Sequence, residues 1–138
     1  MKKLFMIPVL FFLFSCEKEG ELTKDGLSTN TISQAAILKY TGLFSPTSGI
    51  SVSGGVKIYL ENNRYKLKLD GFIISDAPDL KVYLSKAATP NDFVTLGNLT
   101  SATVYDVPQG VNVDSYSHVL IHCQQYNHLF AIAELIQN

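Results

Sequence analysis

From Ile37 onward, hydrophobic and polar side chains alternate with a period of two. Val56, Ile58 and Leu60 interleave with Lys57, Tyr59 and Glu61; after Asn62-Asn63, Tyr65, Leu67 and Leu69 interleave with Lys66, Lys68 and Asp70. Successive side chains leave a strand on opposite faces, so this pattern predicts a hairpin with one buried and one lysine-decorated face. Further strand-like runs occupy 71–75, 81–85, 99–107, 118–125 and 129–135. Turn sequences such as Asp76-Ala77-Pro78-Asp79 separate them, and 86–97 and 109–115 read as loops. No stretch of 16–138 sustains a 3.6-residue period over three turns. Seven or eight short strands at this spacing predict an all-β fold, a single antiparallel β-sandwich or flattened barrel. A bulge in the last hairpin would exchange its inward and outward side chains.

The first residues follow another logic. Lys2 and Lys3 precede an apolar run at 4–14, which as a helix would span roughly 16 Å of a ~30 Å hydrocarbon core. Residues 1–15 therefore read as a signal peptide, outside the fold. Leu13-Phe14-Ser15-Cys16 resembles the bacterial lipobox, with bulky Phe14 its looser match, and predicts lipidation of Cys16. Acyl chains anchor through about 0.8 kcal/mol per buried CH₂, and two or more hold a protein stably. Residues 16–34 form the lipidated cysteine and a polar, flexible tether, leaving 35–138 as the domain. Glu17-Lys18-Glu19-Gly20-Glu21 is similar to acidic signals that send some lipoproteins to the surface of the outer membrane, and equally suits an ordinary solvated tether. The expected location is the cell envelope, lipid-anchored at the outer membrane, on its periplasmic or surface face.

Composition narrows the function classes. The chain has 138 residues, 46% hydrophobic and 17% charged, as in one globular domain. A formal charge of −1, with both signs interspersed, gives no basic surface for nucleic acid. Two cysteines exclude a disulfide-rich scaffold. The chain lacks a nucleophile elbow, a zinc-protease helix motif and a phosphate-binding glycine loop, so a conventional hydrolase or transferase is not expected.

The order and spacing of several short segments resemble the DM13 domain. They include Gly42-Leu43-Phe44, Val52-Ser53-Gly54, Phe72, Pro78 through Leu84, Leu96-Gly97-Asn98-Leu99 and Tyr105-Asp106-Val107-Pro108. Val119-Leu120-Ile121-His122-Cys123, Phe130 and Ala133-Glu134-Leu135 complete the set. Three positions depart from the family pattern: Ala77 replaces a common Gly, His122 replaces a common Trp, and no His precedes Val52. The resemblance implies a small all-β extracellular module with a redox or electron-transfer role. Its cysteine, here Cys123, would act as a bare thiol or as a ligand of a prosthetic group such as haem.

The residues themselves leave Cys123 open to three readings. With Val119 and Ile121 it shares the more apolar face of its strand, which suits a buried, inert core thiol. Three residues before the Tyr126-Asn127 turn, it also suits a redox or ligand thiol at the rim. A His/Cys metal site is the weakest reading. His118 and His122 share a face but lie about 13 Å apart along a strand, too far for one zinc with ~2.1 Å bonds. Both histidines then read as solvent-facing. The leading expectation is a redox module using Cys123, served by a redox partner protein and by the membrane through the lipid. The alternative is a surface binding module for a polysaccharide or protein partner, with outward Tyr59 and Tyr83 stacking on sugar.

Overall fold

The computed structural model describes residues 30–138. Cys16, the signal segment and most of the tether lie outside the described residues. Nine strands follow in chain order: β1 (Ile37–Pro46), β2 (Val52–Glu61), β3 (Arg64–Ile74), β4 (Leu80–Ser85), β5 (Val94–Asn98), β6 (Val104–Asp106), β7 (His118–Cys123), β8 (His128–Glu134) and β9 (Ile136–Gln137). A 3₁₀ turn, Val113–Ser115, precedes β7. The strands hydrogen-bond in the order β5-β4-β7-β8-β1-β2-β3-β6, with β9 added to β1. Every pairing is antiparallel. The two ends of this path, β5 and β6, approach one another, so the sheet is a nearly closed barrel, as the alternation predicts.

The β2–β3 hairpin shows how local chemistry sets register. Asn62 and Asn63 both have positive φ, 53° and 63°, the signature of a two-residue type I′ turn, which asparagine tolerates well. Alternation then sends Val56, Ile58, Leu67 and Leu69 inward, all of them buried. Burial of each such side chain stabilises the fold by about 1.5–3 kcal/mol. The register slips between Ser53 and Gly55, where Gly54 has φ 94°. A Cβ at Gly54 would lie 2.4 Å from the Gly71 carbonyl oxygen, so only glycine lets β3 pass there. Residues 71–74 thereby continue β3 beyond the kink at Gly71 and form no separate strand.

Two expectations fail in the middle of the chain. Residues 99–107 read as one strand, yet only Val104–Asp106 pairs, with β3. The Tyr105 hydroxyl donates to the Ala102 carbonyl and accepts from the Thr100 N–H, which folds the preceding residues into a loop. Residues 86–97 read as a loop, but their end, with Asn98, forms β5 against β4. In the last hairpin the register does shift, between Ile121 and His122, leaving Phe130 as the extra residue on β8. Residues 30–33 are held against the β2–β3–β6 end: Ser33 N–H donates to Glu61 and Asn30 to Asp106.

Candidate functional site

β7 runs through the middle of the β4–β7–β8 surface and is buried on both faces. Val119, Ile121 and Cys123 enter the main core, whereas Leu120 and His122 face outward and are covered there. Cys123 is the last residue of β7, opposite Leu80 on β4 and His128 on β8. Beyond it, Gln124 N–H donates to the Asp79 carbonyl and closes the strand end. Cys123 is a free thiol with 0% exposure. The reading of an accessible rim thiol is thus corrected: position at the strand end does not bring the sulfur to solvent. Apolar core surrounds it, so these residues do not fit a haem or other group ligated through Cys123.

His122 is also corrected, from solvent-facing to 5% exposed. The cause is a stack of rings on the outer face. Phe93, from the β4–β5 loop, stacks on Tyr83 at 4.2 Å between centroids, and Tyr83 stacks on His122 at 5.4 Å. Tyr83 is therefore 4% exposed and not the outward sugar platform expected of it, and burial raises its phenol pKa. Tyr59 lies on β2, separated from β4 by β1, β8 and β7, so the two tyrosines share no surface. His122 Nε2 lies 3.1 Å from Asn127 Oδ1, an acceptor, so the proton sits on Nε2. Its Nδ1 is buried and has no hydrogen-bond partner.

The outer face opens at the other end of β7. A groove of about 780 Å³ crosses β1, β2 and β8, walled by Leu43, Ile132 and Ile136 and rimmed by His118, Glu134, Lys57 and Asp70. Lys57 and Asp70 form an ion pair at 3.3 Å. Leu43, 79% exposed, lies across Gly55. Among the described residues, no three His, Cys, Asp or Glu side chains cluster closely enough to hold a metal. No described helix is long and apolar enough to cross a membrane.

A nearly closed β-barrel with a sealed thiol and an open lateral groove defines a small all-β module. A family model described as "Electron transfer DM13" matches residues 44–135, two thirds of the chain, and the chain belongs to that family. Its function is accordingly related to electron transfer. No curated protein and no solved structure matches. Sequence reading missed the groove because its lining comes from six strands. The available signal was Leu43 and Ile132, aliphatic residues at positions whose alternation sends them away from the core.

Proposed function

We propose that the chain is a cell-envelope lipoprotein, anchored at the outer membrane through Cys16, whose DM13 domain exchanges electrons with a redox partner protein. The family match over residues 44–135 carries the electron-transfer reading. The leader and lipobox-like residues 13–16 support the anchor. In this reading Cys123 is a gated thiol. It reacts when the exposed turn between β7 and β8 opens, a motion confined to a strand end held by the Gln124–Asp79 backbone bond. Its thiolate then attacks a disulfide of the partner: one S–S bond forms to Cys123, the partner's S–S bond breaks, and the departing sulfur leaves as thiolate.

Non-reducing electrophoresis of membranes expressing the full chain tests this. A reductant-sensitive adduct is expected with the wild type and not with Cys123→Val, a substitution of similar volume that keeps the core filled. Cys16→Ala is expected to shift the protein out of the membrane fraction. An adduct that persists in Cys123→Val, or none in either protein, overturns the thiol role.

A further inference from the structure

The polar atoms around the groove are matched to a particular kind of ligand. Ser117 Oγ lies 3.1 Å from the Lys86 carbonyl oxygen and 2.7 Å from His118 Nδ1. Both contacts are satisfied together when the hydroxyl donates to the Lys86 carbonyl and Nδ1–H donates to Ser117 Oγ. In that tautomer His118 Nε2 carries the lone pair, and Ser117 is the side-chain partner of the ring among the described residues. Glu134, the cross-strand neighbour of His118, adds a carboxylate to the same rim. The one ammonium there, Lys57, is already paired with Asp70. The groove thus combines aliphatic walls with the Glu134 carboxylate, the Lys57–Asp70 pair and the hydroxyls of Thr41 and Ser45, which both donate and accept.

We infer that this groove binds a lipophilic hydroquinone, its ring between Leu43, Ile132 and Ile136 and a phenolic O–H donating to His118 Nε2. A cavity of about 780 Å³ lies within the range of small-molecule sites and admits the ring with part of a side chain. The aliphatic walls select an apolar body. With Lys57 paired to Asp70, the Glu134 carboxylate leaves the rim negative and disfavours anionic ligands such as carboxylates and phosphates. The electron-transfer reading enters only in choosing a redox-active phenol over an inert one. The oxidised quinone has carbonyl oxygens and no proton to give, so it leaves the His118 lone pair unmatched. The His118 contact therefore favours the reduced over the oxidised form of one molecule.

Titration of the full chain, under anaerobic conditions, with a fully substituted short-chain benzohydroquinone and its quinone tests the inference. Full ring substitution prevents addition of the thiol to the quinone. Hydroquinone is expected to bind roughly five- to tenfold tighter than quinone, the worth of one hydrogen bond to an otherwise unpaired group. Methyl resonances of Leu43, Ile132 and Ile136 should shift during the titration. His118→Phe is expected to lower hydroquinone affinity to that of the quinone, and Leu43→Glu to weaken both forms. Equal affinity for the two forms, a preference that survives His118→Phe, or shifts confined to other residues would overturn it. Binding should be unchanged in Cys123→Val. Hydroquinone binding without a Cys123 adduct would remove the thiol exchange and leave the groove site standing, and the reverse result would remove the groove site alone.

Discussion

His118 and His122 sit on the same face of the same strand, four residues apart, and meet opposite fates. His122 lies beneath Tyr83, which Phe93 covers in turn, and its Nδ1 has no partner. His118 lines an open groove, its Nδ1 2.7 Å from Ser117 Oγ. Strand alternation treats the two alike, since both point away from the core. The difference comes from the neighbouring strands: β4 brings an aromatic over one histidine, whereas β8 and β1 bring aliphatic side chains that stop short of the other. Whether an outward side chain is buried is thus settled by residues distant in sequence. An antiparallel sheet covered on part of its outer face carries a small second core beside an open site.

Uncovering His122 is the most disruptive way to erase the contrast. Tyr83→Ala removes a buried aromatic between two rings and is expected to destabilise the domain by about 3–5 kcal/mol in denaturant unfolding. His122 should become as reactive to a histidine-modifying reagent as His118. A loss below about 1 kcal/mol would show that the stack contributes little beyond covering the surface.

The converse change relieves the buried imidazole. His122→Phe keeps a ring against Tyr83 and deletes the unpartnered Nδ1, so a gain of about 1–2 kcal/mol is expected from chemical denaturation. Asn127, left without the imidazole, remains exposed to water. A net loss would mean that the Nε2–Asn127 hydrogen bond outweighs the burial of Nδ1.

A smaller effect belongs to the Tyr40 phenol. The Tyr40 hydroxyl hydrogen-bonds Asp114, and that bond, burial and the carboxylate charge push its pKa up to about 12. A phenol that holds its proton more tightly when folded contributes stability fully below pH 10, and this contribution disappears as the pH rises from 10 towards 12. Tyr40→Phe should cost about 1 kcal/mol at neutral pH and flatten the stability profile between pH 10 and 12. A profile unchanged by the substitution would place the alkaline loss elsewhere.

Much of the fold was legible from local patterning. Alternation and the Asn62-Asn63 pair were enough to locate the first hairpin, its turn and its buried face. The strand at 99–107 misled because the Tyr105 side chain reaches back to bond the backbone at Thr100 and Ala102, a contact that periodicity does not encode. The site was less legible. Cys123, Val119 and Ile121 could be placed on one face, but no local signal says that the strand end is sealed. Tyr83 and His122 looked outward because Phe93, which covers them, stands in a stretch read as loop. The groove at Leu43, Ile132 and His118 exists only once β1 and β8 pair, so its parts appear in the sequence as unrelated exceptions to alternation.

Cys123 is sealed in the resting fold, and the proposed thiol exchange requires local opening beside His122. Its rate of modification by an excess of an aromatic disulfide, in the full chain at neutral pH, tests this most directly. A single thiol modified at least about 10²-fold more slowly than in denaturant is expected, with the rate rising under mild destabilisation of the β7–β8 turn. Modification in native buffer at the denatured-state rate would contradict it.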